Sequence, residues 1–81
     1  MIQATLAVYP LQQSDYEAVH RAIDALRRGN VEVNDGAMNT TIAGAERPVF
    51  ETLLAAYEAA AECGPTVMTV TVSNACPVST K

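Results

Sequence analysis

An α+β fold of β-α-β-β-α-β order, with two helices on one face of a four-stranded antiparallel sheet, is predicted by three features of this 81-residue sequence. Alternating apolar and polar residues mark strands near both ends, over residues 2–9 and 66–73. Two segments with helical spacing of apolar residues lie between them. Between the helices, Asp35-Gly36 gives a strong hairpin signal. A chain this short is expected to form one domain over residues 1–81. It buries only about 60% of the surface its unfolded form exposes, so association is a common remedy.

In the first strand, IQATLAVY, Ile2, Ala4, Leu6 and Val8 share one face and Gln3, Thr5, Ala7 and Tyr9 the other, and Pro10 ends it. Ser14 and Glu17 form a capping box, with Asp15 adding favourable charge in the first turn. The helix places Tyr16, Val19, Ile23 and Leu26 on one stripe, Arg27 and Arg28 suit its C-terminal end, and Gly29 is expected as a left-handed cap. A short strand over 31–35 and its hairpin partner over 37–43 follow, closed by Gly44. Pro48 fits the first turn of a second helix, whose buried face is expected at Phe50, Leu53, Leu54, Tyr57 and Ala61. Cys63-Gly64-Pro65 stops that helix. The last strand, TVMTVTVS, sets Met68, Val70 and Val72 against Thr69, Thr71 and Ser73, and a polar tail, NACPVSTK, follows. Right-handed crossovers put both helices on one side, which is the ferredoxin-like fold with strand order 4-1-3-2.

Composition narrows the function. The net charge is −4 and the five basic residues are scattered, which disfavours nucleic acid. No apolar run approaches a bilayer-spanning length, and MIQATLAVYP lacks a basic region followed by an apolar block. The expected location is cytoplasmic, where Cys63 and Cys76 remain thiols, and their spacing makes no metal site. His20, the one histidine, falls on a helix flank, so no Ser/His/Asp set forms. No CxxC pair, four-thiolate set or glycine-rich phosphate loop occurs. The first loop has no arginine and NTTIA has no aromatic residue, which removes the acylphosphatase and RNA-stacking versions of the fold.

A polar group remains. Parity puts Thr40 with Met38 and Ile42 on the helix-covered face, where a hydroxyl needs a partner or a ligand. Parity also puts Asn74 on that face, beyond Val72. The end of the fourth strand is expected near the beginnings of the first and third. Asp35, Asn39, Thr40, Ser73, Asn74 and Cys76 would then gather at one edge of the sheet. A second reading has Thr40 bonding a helix carbonyl while Asn74 and Pro77 end a strand. The outer face carries Gln3, Thr5, Ala7, Asn39, Thr41, Thr69, Thr71 and Ser73, with no charge. Such a face suits packing against another sheet, so a homodimer or higher even oligomer is expected, with Thr5, Thr41, Thr69 and Thr71 near its interface.

The segments LAVYPL, the helix start DY, NTTIAG, VFETL and VMTVTVSNACP together resemble the YkoF family of thiamine/hydroxymethylpyrimidine-binding proteins. The resemblance runs over nearly the whole chain, and the YPL turn and the strand ending SNACP are its most telling pieces. It implies two ferredoxin-like repeats per chain, each holding a thiamine-type ligand, and an association with vitamin uptake. This sequence holds one repeat, so a homodimer would reproduce the tandem pair. Thr40 falls on a threonine of the family's third strand and Asn39 replaces a serine. Cys76-Pro77 matches its Cys-Pro, and Tyr9-Pro10 its Tyr-Pro turn. The implied function is non-catalytic binding of thiamine or hydroxymethylpyrimidine, in vitamin uptake or handling. No cofactor or metal is called for. Thr40, Asn74, Asn39, Asp35, Ser73, Cys76, Tyr9 and Tyr16 are the candidate ligand-binding residues. Thr40 and Asn74 can both donate and accept hydrogen bonds, as an aminopyrimidine demands. The pyrimidine ring would sit among Met38, Ile42 and Leu6, and the thiazolium charge would meet Asp35, Glu32 or the ring of Tyr16. A regulatory or structural dimer without thiamine binding is the first alternative. A dimeric ferredoxin-like enzyme is the second, and it lacks a Trp or a well-placed His.

Overall fold

The computed structural model describes residues 1–13, 15–36 and 39–75. The elements run in the predicted order: β1 (Ile2–Pro10), α1 (Glu17–Arg28), β2 (Glu32–Asp35), β3 (Thr40–Gly44), α2 (Glu46–Ala61) and β4 (Thr66–Ser73). The sheet order is β2-β3-β1-β4 and every pair is antiparallel. The ferredoxin-like expectation therefore holds.

The ladder aligns the buried side chains. Ala4 pairs with Ile42 and Leu6 with Thr40, while Val33 pairs with Ile42 from the other side. Directly opposed residues share a face, so these rows meet the helices. Ala4 and Ile42 are fully buried and Leu6 nearly so. Where β2 meets β3, Asp35 pairs with Thr40 and the Gly36 N–H donates to the Asn39 carbonyl at 2.6 Å. Ala37 and Met38 lie outside the described residues, as does Ser14 of the expected capping box. The Asp15 carboxylate accepts the Glu17 N–H at 3.1 Å, so a cap contact comes from the aspartate.

Both helices bury a different stripe from the one expected. In α1 the buried residues are Ala18, Ala22, Ala25 and Leu26, whereas Tyr16 is exposed and Val19 and Ile23 are half-buried. In α2 they are Val49, Thr52, Leu53, Ala56 and Ala60. Phe50, Leu54, Tyr57 and Ala61 are exposed, so only Leu53 of the expected face is correct. The cause is helix-to-helix proximity: α1 and α2 pack on each other as well as on the sheet, and alanine rows permit the close approach.

Gly29 shows how close. Its φ of −76° is ordinary extended backbone, not the expected left-handed cap. A Cβ there would lie 2.2 Å from Thr52 Oγ1 and 3.0 Å from Thr52 Cβ. Gly29 is required by contact with α2, not by its dihedral angles. The left-handed position falls instead at Gly64, with φ of 143°, in the turn that ends α2. Met68 packs against the core, but Val70 and Val72 are 37% and 39% exposed, because the helices do not reach over that stretch of β4.

Candidate functional site

The antiparallel ladder divides the expected polar group. Thr40 opens β3 opposite Leu6, while Ser73 closes β4 opposite Gln3. Strands β3 and β4 run parallel with β1 between them, so the end of β4 lies beside the start of β1 and the end of β3. Ser73 is three residue levels and two strands away from Thr40, about 10 Å in each direction. The single-edge cluster is therefore wrong. Asn74 is exposed beyond β4, and the Ser73 hydroxyl accepts the Ala75 N–H at 3.0 Å in a local turn. Cys76 lies outside the described residues, so its expected place beside this group does too.

What comes together is the opposite end. Thr40 is only 8% exposed, and among the described residues no hydrogen bond reaches its hydroxyl. It lines a cavity of about 200 Å³ between the sheet and α1, together with Asn39 and Gly36 of the hairpin turn. The apolar walls come from Leu6 and Val8 of β1 and from Val19, Ile23 and Leu26 of α1. Ile42, expected as a wall, is fully buried in the core and does not line the cavity. Met38, the other expected wall, lies outside the described residues.

A second hollow of about 380 Å³ adjoins the first, and the two share Val8 and Val19. Tyr9, Pro10, Gln13, Asp15 and Tyr16 complete it. The β1–α1 loop that forms it is tied down by backbone and side chain. The Leu11 N–H donates to the Pro65 carbonyl at 2.9 Å, and the Gln13 amide donates to the same carbonyl at 2.7 Å. Gln12 carries a φ of 57°, a left-handed conformation unusual for a side-chain-bearing residue. Gln13 and Asp15 were missed in the sequence. The signal available was the long polar stretch between the Tyr-Pro turn and the first helical residue.

Two acidic candidates are placed elsewhere. Asp35 stands across from Thr40, but its carboxylate is bound by the Arg27 guanidinium, which ties the end of β2 to α1. Glu32 pairs with Ala43, whose neighbours in register lie on the outer face, so it cannot meet a ligand at Thr40. The arrangement thus offers a neutral compartment with one buried hydroxyl beside an aromatic one carrying the Asp15 carboxylate. Among the described residues no group of three His, Cys, Asp or Glu side chains forms a metal site. No helix among them is long and apolar enough to cross a membrane.

Solved structures share this architecture at low identity. A hypothetical protein of Methanocaldococcus jannascii superposes with a TM-score of 0.82 at 18% identity, covering 90% of this chain and 78% of that one. A protein of Streptococcus pneumoniae gives 0.84 at 20% identity, covering 95% and 88%. A Thermotoga maritima protein, provisionally assigned to thiamine biosynthesis/salvage, gives 0.76 at 16% identity, covering 88% and 80%. No curated protein sequence matches this chain. The sequence pattern of the YKOF-related family matches residues 1–79.

Proposed function

The chain belongs to the YkoF-related family, and from that premise and the cavity at Thr40 we propose that it binds thiamine or its hydroxymethylpyrimidine moiety without transforming it. The observation that carries this reading is the Thr40 hydroxyl, buried on a cavity wall with no hydrogen bond from the described residues. A buried hydroxyl without a partner costs free energy, and a ligand polar group removes that cost. The Thr40 hydroxyl both gives and takes a hydrogen bond, as the amino group and ring nitrogen of an aminopyrimidine require. Leu6, Ile23 and Leu26 supply apolar walls for a flat ring.

The adjoining hollow suits the other half of the vitamin. Tyr9 and Tyr16 present aromatic faces, and Asp15 a carboxylate, to a positively charged thiazolium. Tyr16 keeps its expected role, and Asp15 takes the one first given to Asp35 and Glu32. Among the described residues no glycine-rich loop or cluster of basic side chains lines either hollow, so the free vitamin is favoured over its diphosphate. The thiamine assignment of the Thermotoga maritima structure agrees with this reading. The corresponding role is vitamin uptake or intracellular handling.

Titration calorimetry tests it with thiamine, hydroxymethylpyrimidine and the thiazole fragment. Thr40→Val keeps the side-chain shape and removes the hydroxyl. One neutral hydrogen bond is worth about 0.5–1.5 kcal/mol, and more where a buried ligand group is left unpaired. The expected affinity loss therefore runs from about a few-fold to some tens of fold. Absence of heat with all three compounds would refute vitamin binding and leave the regulatory dimer. Equal binding by the valine variant would move the ligand away from Thr40.

The same reading includes a homodimer through the outer sheet face. The Thr5 and Thr41 hydroxyls lie 3.4 Å apart at the centre of that face, and Gln3, Ala7, Thr69, Thr71 and Ser73 surround them without a charge. Among the described residues of this face Glu32 is the one charged exception, on the outermost strand. Thr41→Lys is expected to dissociate this contact, read as a fall in sedimentation mass at micromolar concentration. An unchanged mass rejects the face as an interface.

A further inference from the structure

We propose that the groove between the C-terminal end of α1 and the first turns of α2 is a second ligand site, which takes a small zwitterion, an α-amino acid with a short apolar side chain. This groove shares no lining residue with the Thr40 cavity or the hollow beside it, and its ligand does not depend on vitamin binding.

The groove has a volume of about 430 Å³, which is the scale of a small-molecule site. Thr52 of α2 and Gly29 at the end of α1 both line it. Thr52 is only 4% exposed, and among the described residues no hydrogen bond reaches its hydroxyl. Inside a helix such a hydroxyl commonly bonds the carbonyl four residues back. Here its oxygen is instead the atom nearest to where a Gly29 side chain would begin. The glycine Cα has no lone pair to accept the proton. The hydroxyl is thus a buried polar group that lines a groove and lacks a partner, the arrangement that a bound ligand completes.

Two opposite charges flank it. Arg28 is the last residue of α1, Glu51 precedes Thr52 on α2, and both line the groove. Neither forms an ion pair with the other or with any described residue, although Asp24 stands one turn before Arg28. A molecule carrying both signs bridges them, its carboxylate on the Arg28 guanidinium and its ammonium on the Glu51 carboxylate. An anion alone would still face Glu51, and a cation alone would still face Arg28, so a single charge gains less. The Thr52 hydroxyl gives and takes a hydrogen bond, and the Asn30 amide on the same wall has donors and an acceptor, so both serve either head group.

The remaining wall sets the body of the ligand. Ala25, Pro48, Ala55 and Ala59 are small and apolar, which suits a short aliphatic side chain. A further charge in the ligand would find no counterpart among these residues. Thiamine carries a positive charge without a carboxylate and leaves Arg28 unmatched, so the groove discriminates against it.

Titration of the isotope-labelled full chain with L-alanine, followed through its backbone amide NMR shifts, tests this. Saturable shifts centred on Gly29, Asn30, Thr52 and Ala55 are expected, with a Kd on the order of 1 mM for so small a ligand in an open groove. Propionate and alaninamide each lack one of the two charges and should bind at least about tenfold more weakly. Arg28→Gln and Glu51→Gln alter exposed side chains, so the fold is retained, and each should weaken L-alanine binding by about tenfold or more. Thr52→Val keeps the shape and removes the hydroxyl, with an expected loss from about a few-fold to some tens of fold. The proposal is overturned if L-alanine gives no saturable shift up to tens of millimolar, or if the shifts lie away from the groove. Propionate or alaninamide binding as tightly as L-alanine, or unchanged binding by both charge variants, overturns it equally.

Discussion

Gly29→Ala is expected to destabilise the fold by about 1–3 kcal/mol, the usual cost of forcing extra volume into a close-packed contact. The added methyl would lie 2.2 Å from Thr52 Oγ1 and 2.7 Å from Thr52 Cγ2. Rotating the threonine does not relieve the clash, because its Cβ stands 3.0 Å away and is fixed to the backbone of α2. The helices must separate. An opposing effect exists: alanine restricts the unfolded chain, which favours folding by about 0.4–1 kcal/mol where the native dihedrals suit it. They do suit it here, with φ of −76° and ψ of 166°, so the net loss is the contact penalty less this gain. For a domain of this size the midpoint of thermal unfolding should fall by roughly 5–20 °C. Thr52→Ala in the same chain removes the two nearer atoms and should recover part of the loss, a non-additive result. Equal thermal stability of Gly29→Ala and wild type would mean that the helices are further apart than described.

The second large effect is expected at Ile42. This side chain is fully buried on β3 between Ala4 and Val33, beneath α2. Ile42→Ala leaves a cavity in a core built largely of alanines, whose backbones have little freedom to collapse into it. The expected loss is about 2–5 kcal/mol, a large part of the stability of any small domain. Val70→Ala is the informative comparison. Alternation gives Val70 and Ile42 the same core-facing assignment, yet Val70 is 37% exposed in the single chain. Its truncation should cost a fraction of the Ile42 value under conditions where the chain is monomeric. Denaturant unfolding of both variants measures the difference, and equal losses would contradict the exposure of β4.

Element order, strand direction and the boundaries of β4 were legible in the sequence because they rest on local signals. Alternation over Thr66–Ser73, the Asp35-Gly36 turn and the Gly64-Pro65 stop act through neighbours along the chain. The inward orientation of Thr40 was also legible, since parity within a strand follows from the pleat. The partner residues in its cavity were less so. Val19 and Ile23 reach the site through the way α1 crosses the sheet and Asp15 through the path of the β1–α1 loop, which no short-range pattern encodes.

By itself, the sequence determined the β-α-β-β-α-β order, the side of each strand that faces the helices, and Thr40 as a hydroxyl in need of a partner. Tertiary structure alone decided which helical stripe is buried. In α2, the row Val49, Leu53, Ala56 and Ala60 competes with Phe50, Leu54, Tyr57 and Ala61, displaced by one residue. Both satisfy helical periodicity, and the larger side chains make the second row look more core-like. The first row is buried because α1 and α2 must lie close enough for Gly29 to touch Thr52, and only small side chains leave that space. The separation of Asn74 from Thr40, by contrast, already follows from the predicted strand order. Direction decides that point: β3 and β4 are parallel across β1, so the start of one and the end of the other occupy opposite ends of the sheet.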